Sequence, residues 1–244
     1  MTALAVFVAA TLTALATGLG ALPFAVVRRP TRAWLGVANS IAAGAMLGAS
    51  AGLAWEGLRA GHWRTALGAA AGAAFIAVTT RVLESRKDVH VAGLERADAM
   101  RMLLIVGVMT VHSVTEGVGV GVSFGDGRAL GTLITVAIAV HNIPEGLAIS
   151  LVLVPRGVSV LRAAGWSVFS SLPQPLMALP AFLFVEAFEP LLPAGLGFAA
   201  GAMAWMAVFQ LVPEALAETR ARSVVAVAAV AAGLMLAGQA LFPS

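Results

Sequence analysis

Residues 102–123 read MLLIVGVMTVHSVTEGVGVGVS, and residues 130–154 read LGTLITVAIAVHNIPEGLAISLVLV. A helix needs about 20 apolar residues to cross the hydrocarbon core of a bilayer, and each run meets that length. Each is also interrupted near its middle by a histidine and a glutamate. Gly125-Asp126-Gly127-Arg128 separates them, a connection so short that the two helices must be antiparallel neighbours. The pair predicts a membrane-embedded helical bundle with ionisable groups inside it.

Working outward, six further stretches have the same character: about 3–27, 35–58, 65–82, 160–185, 194–212 and 222–242. The expected fold is therefore all-α, a polytopic membrane bundle of eight transmembrane helices forming a single domain over residues 1–244. Composition agrees. Hydrophobic residues make up 60% of the chain and charged residues only 11%, against roughly a quarter charged in a soluble domain. A net charge of +3 does not point to nucleic acid, because the arginines sit in short loops and form no stripe or tail. The absence of cysteine excludes disulfides and thiolate metal sites.

Orientation follows from the positive charges. No cation precedes the first apolar run, as a secretory signal would require; Arg28, Arg29 and Arg32 follow it. An external N-terminus then puts Arg28, Arg29, Arg32, Arg81, Arg86, Lys87, Arg96, Arg101, Arg156, Arg162, Arg220 and Arg222 inside. Only Arg59, Arg64 and Arg128 fall outside, and the two groups account for all 15 Lys and Arg. Both termini are expected outside. The one sizeable loop, about 83–101, is expected to be cytoplasmic and solvated, and its solitary His90 is no metal site. Small residues such as Gly68, Gly72, Gly117, Gly119 and Gly121 let helices approach closely. They permit a homodimer without requiring one.

Ionisable groups at mid-bilayer cost at least about 2.5 kcal/mol each on insertion scales, so each needs a partner or a role. His112-Ser113-Val114-Thr115-Glu116-Gly117 and His141-Asn142-Ile143-Pro144-Glu145-Gly146 share one frame: His, small polar, two others, Glu, Gly. Positions i and i+4 lie on one helix face. His112 with Glu116, and His141 with Glu145, can therefore converge as four ligands at one depth. Two imidazoles and two carboxylates suit a borderline cation such as Zn²⁺ better than Ca²⁺ or Mg²⁺, which prefer oxygen cages. Ser113 and Asn142 can add weak oxygen ligands or hydrogen bonds to the ligands. Pro144 frees the Val140 carbonyl beside them, and broken helices at mid-membrane recur at transporter ion sites. Gln174, between Pro173 and Pro175, can line the path or satisfy carbonyls freed by the prolines. Met46 can be a soft thioether ligand or simple packing. Glu56 and Glu214, near opposite ends of their spans, can be entry or exit stations or interfacial carboxylates.

At these residues the chain resembles the ZIP (Zrt-, Irt-like) family of metal transporters, closest to its prokaryotic branch. The resemblance rests on His141-Asn142-Ile143-Pro144-Glu145-Gly146-Leu147-Ala148. Gly197-Phe198-Ala199-Ala200-Gly201-Ala202-Met203 and Ser171-Leu172-Pro173-Gln174-Pro175-Leu176 reinforce it. It implies a multi-pass protein of the cell membrane (a bacterial inner membrane) that moves Zn²⁺ into the cytoplasm, with Fe²⁺, Mn²⁺, Co²⁺ and Cd²⁺ as other divalent cargoes and no organic cofactor. It further implies a two-metal centre. His112, Glu116, His141, Glu145 and Met46 would form the first position. Ser113, Asn142 and Gln174, with Glu116 and Glu145 bridging, would form the second. Ser113 replaces the usual asparagine, Gln174 a glutamate found in some members, and Thr115 the usual proline. The second position therefore loses negative charge, and one main site with a vestigial neighbour is expected.

The rival from another class is an intramembrane zinc-dependent hydrolase. Against it, there is no His-Glu-x-x-His segment and no serine nucleophile elbow.

Overall fold

The computed structural model describes residues 2–27, 30–85 and 96–240. Among the described residues the chain is helical throughout, with no strand. Helix α1 (Ala3–Thr17) starts at Thr2, whose side chain accepts from the Ala5 amide, and passes through a 3₁₀ turn (Gly18–Ala21) into α2 (Leu22–Val26). Next come α3 (Arg32–Ser85), α4 (Arg96–Asp126) and α5 (Arg128–Leu153). Short elements follow: α6 (Val160–Ser171), α7 (Pro173–Leu183) and α8 (Val185–Phe188). Helix α9 (Leu192–Met206) runs through a π turn (Ala207–Leu211) into α10 (Val212–Glu218), and α11 (Ala221–Ala240) ends the described chain.

Among the described residues six helical runs are long and apolar enough to cross a membrane: Ala3–Val26, Arg32–Val82, Ile105–Gly125, Ile134–Arg156, Glu189–Glu218 and Ala221–Gln239. The second of these folds back on itself. At Gly61 the backbone leaves helical geometry for an extended conformation (φ 179°, ψ 96°). A β-carbon placed on Gly57 would lie 2.7 Å from Thr65 Cγ2, whereas eight residues of straight helix span about 12 Å. Residues 32–60 and 62–85 are thus two arms of one hairpin. Helices α6 and α7 are each too short to cross alone, and they abut at Leu172, immediately before Pro173.

Two boundaries differ from the sequence expectation. The loop placed at about 83–101 is helical at both ends, because α3 continues to Ser85 and α4 begins at Arg96. Charged residues end a hydropathy run where the helix leaves hydrocarbon, but they do not stop backbone hydrogen bonding. Residues 86–95, with Arg86, Lys87 and His90, lie outside the described residues, as do Arg28 and Arg29. Between α4 and α5 the connection shrinks to Gly127, at φ 144°, a conformation that costs an L side chain strain.

The polarity of the bundle is inverted relative to a soluble protein. Leu4, Val26, Leu161 and Leu234 are largely exposed, while Thr13, His112, Glu145, Ser167 and Gln174 are completely buried. Helices α1, α4, α5, α6 and α7 pack mainly on one another, and the two arms of α3 pack with α9, α10 and α11. Close approach in the second group runs through small residues. A β-carbon on Gly44 or Gly48 would meet Ala228 or Ala232 of α11, and one on Gly197 or Gly201 would meet Thr65 or Ala69 of α3. The buried polar side chains concentrate in the first group.

Candidate metal centre

His112 and Glu116 lie one turn apart on α4, and His141 and Glu145 one turn apart on α5. Because only Gly127 joins these helices, they return side by side and bring both pairs to the same depth. One ligand atom from each of the four residues lies within 4.8 Å of every other, and all four residues are buried. Glu145 Oε1 stands 3.0 Å from both His112 Nε2 and His141 Nε2. Glu116 Oε1 stands 3.5 Å from His112 Nε2 and 3.9 Å from His141 Nε2. The imidazoles face each other, with ring centroids 5.7 Å apart and planes 26° from parallel.

Several polar atoms here have no hydrogen-bond partner although they are buried: both nitrogens of His112, Glu116 Oε1, Glu145 Oε2, Ser113 Oγ and Asn142 Oδ1. The close His112–Glu145 approach therefore lacks hydrogen-bond alignment. Buried polar groups are normally satisfied, and a cluster of unsatisfied N and O donors is what a cation would complete. Its chemistry, imidazole nitrogen with carboxylate oxygen, suits Zn²⁺ and its neighbours in the first transition row.

A second layer is built on Gln174, fully buried in the first turn of α7. Its Nε2 donates to Glu116 Oε2. Its Oε1 accepts from the Thr13 hydroxyl (2.6 Å) and from Asn142 Nδ2 (3.1 Å). Asn142 Nδ2 also donates to the Thr13 carbonyl (2.7 Å). One turn on, the Thr17 and Ser171 hydroxyls are 2.7 Å apart.

Of the residues singled out from sequence, His112, Glu116, His141 and Glu145 come together as one cluster, and Asn142 and Gln174 join it through hydrogen bonds. Ser113 is buried beside His112 in α4, and Met46 is fully buried in the first arm of α3. Glu56 lies in that arm ahead of Gly61, and Glu214 in the first turn of α10. Sequence reasoning missed Thr13 and Thr17, and met Ser171 only as part of the motif that carries the family resemblance. The signal was present, since Thr13 and Thr17 are four residues apart in an apolar helix, the spacing that exposed the His/Glu pairs.

The glycine that follows each glutamate explains why the frame repeats. A β-carbon on Gly117 would overlap the Gln174 backbone of α7, and one on Gly146 would overlap the Thr17 carbonyl of α1. Both neighbouring chains thus cross the site helices at backbone distance, directly beside the carboxylates.

The sequence profile of the family described as ZIP Zinc transporter matches residues 64–239, which include both His/Glu pairs. The chain belongs to the ZIP zinc transporter family. Among similar proteins, an Arabidopsis thaliana protein named "Putative zinc transporter" is 46% identical over 95% of this chain and 38% of its own length. Zinc transporter GufA of Myxococcus xanthus is 34% identical over 46% of this chain and 44% of its own. Human zinc transporter ZIP11 is 38% identical over 47% of this chain and 36% of its own. The chain thus covers less than half the length of each of these curated relatives. This ZIP chain carries the buried His/Glu cluster entirely within its family-matched portion.

Proposed function

We propose that this ZIP chain carries a divalent transition metal, zinc foremost, across a membrane into the cytoplasm, using His112, Glu116, His141 and Glu145 as the transport site. One observation carries the reading: four buried ligand atoms from two matched His-x-x-x-Glu turns converge inside a bundle whose outer surface is apolar. Two carboxylates neutralise one divalent ion, which removes the main obstacle to placing that ion in a low-dielectric interior. The proposed cycle begins with a hydrated ion entering from outside. It exchanges water for the two imidazoles and two carboxylates, and rocking of the bundle then opens the site to the cytoplasm. Met46 joins the ligand set from α3, and the ion remains cargo throughout. Fe²⁺, Mn²⁺, Co²⁺ and Cd²⁺ are alternative cargoes for the same ligands.

The same proposal includes eight spans with both termini outside, in the cell membrane of a bacterium. Support for eight comes from the hairpin at Gly61, which makes two crossings of Arg32–Val82, and from α6 with α7, which together reach the length of one more. Exposed Trp55 and Trp63 flank the Gly61 bend beside Arg64, an arrangement typical of a membrane–water interface. The relatives are named as zinc transporters, and no observation favours the hydrolase.

The test is radioactive zinc uptake into proteoliposomes by wild type and Glu145→Ala. Uptake by wild type that vanishes in the variant supports the assignment. Equal uptake by both would overturn the site, and uptake by neither of any of the five metals would overturn the transporter.

A further inference from the structure

Glu116 is engaged from two sides. Its Oε1 faces the imidazoles, while its Oε2 accepts the Gln174 amide. The carbonyl end of Gln174 is fully committed to the Thr13 hydroxyl and to Asn142 Nδ2, and that same Asn142 nitrogen donates to the Thr13 carbonyl. These partners fix both amides. Turned over, Gln174 would set its oxygen against a carboxylate oxygen, and Asn142 would set its oxygen against a carbonyl. The single Thr13 hydroxyl proton is shared between Gln174 and the Ala10 carbonyl, 2.7 Å away, so that hydroxyl has no spare donor.

An amide N–H directed at a carboxylate oxygen supplies partial positive charge where a cation would otherwise sit. Charge balance points the same way. Among the described residues the cluster holds two carboxylates, enough for one divalent ion. Ser113, Asn142 and Gln174 add none, so a second divalent ion would leave two uncompensated positive charges within the bilayer. The unpartnered Ser113 Oγ and Asn142 Oδ1 are neutral oxygens, suited to water.

We propose that the Thr13–Asn142–Gln174 group stands in for a second cation: Gln174 is a positioning residue that turns Glu116 Oε1 toward the imidazoles, and the centre binds one divalent ion per chain. This rests on the transport-site reading above. It adds that the neighbouring position is closed by these hydrogen bonds together with the lack of a third carboxylate among the described residues of the cluster.

The experiment is Zn²⁺ stoichiometry on purified full-length chain in detergent, by equilibrium dialysis with metal analysis. Wild type should bind one ion. Gln174→Glu should bind two, because the new carboxylate repels Glu116 until a cation bridges them. Asn142→Asp provides a second route to the same result, since its oxygen would face the Thr13 carbonyl and Gln174 Oε1 unless a cation intervened. Either variant, if monodisperse, can supply the supporting count. Two ions in wild type would overturn the proposal, as would one ion in both variants. His112→Ala follows the parent reading separately and should abolish tight binding. If it leaves binding intact, the transport site is misplaced; if wild type binds nothing, both readings fall.

Discussion

Glu145 contacts both imidazoles at 3.0 Å, whereas Glu116 lies farther from each and shares its second oxygen with Gln174. The two carboxylates should therefore not be equivalent. Glu145→Gln is expected to weaken Zn²⁺ binding more than Glu116→Gln, and Thr13→Val to weaken it by about 10-fold, within the range seen when groups supporting metal ligands are removed; dialysis with metal analysis would check all three. Equal losses at Glu116 and Glu145 would contradict the geometry. Imidazole and carboxylate bind metal only when deprotonated. With equal pH on both sides of the vesicle, uptake should accordingly fall as pH is lowered, and uptake that rises on acidification would rule out simple proton competition. At this scale the four clustered His and Glu residues were legible in the sequence, because ionisable side chains at helical spacing in an apolar run have few explanations. Thr13 stood out only by its four-residue spacing from Thr17, a weaker signal, since a hydroxyl is cheap to bury and only the packing of α1 on α7 gives it a partner.

The seams that hold the site helices in place depend on two glycines. Gly117 and Gly146 each meet a crossing backbone, Gln174 in α7 and Thr17 in α1, and backbone cannot swing aside as a side chain can. Gly146→Val should cost at least about 3 kcal/mol, the upper end of overpacking penalties, read as a lowered melting temperature in detergent together with loss of Zn²⁺ binding. A neutral Gly146→Val would show that α1 does not pack there. Gly165, with nothing within 4 Å of its β-carbon position, is the contrasting position, where alanine should be tolerated. Element ends were the least legible part. Hydropathy reports where hydrocarbon stops, so it ended the fourth span at residue 102 although α4 starts at Arg96. It is also blind to the π turn at Ala207–Leu211, which leaves the apolar pattern unbroken.

For the molecule as a whole, the buried-polar, exposed-apolar arrangement makes orientation the property most open to test. The chain has no cysteine, so single introduced thiols report cleanly. A membrane-impermeant maleimide applied to intact cells should label Arg59→Cys and leave Ser159→Cys unlabelled until the cells are opened; both positions are exposed. The reverse pattern would invert the topology. The all-helical membrane character and the antiparallel α4–α5 pairing followed from run lengths and the short connection, whereas the grouping of α1 with α4–α7 did not, because it is set by where small residues meet across the bundle. The π turn has a consequence at this scale as well. Upstream, Gly197 and Gly201 of α9 face the second arm of α3, and downstream Glu218 and Thr219 face Gly36 of the first arm. A π turn is a helix that has taken in one residue too many, and one residue is about 100° of rotation. Straightening 207–211 into ordinary α-helix with every residue kept would turn α10 by about that angle and carry Glu218 and Thr219 off Gly36, so the surplus residue acts as a phase shifter that lets one continuous helix serve both halves of a hairpin.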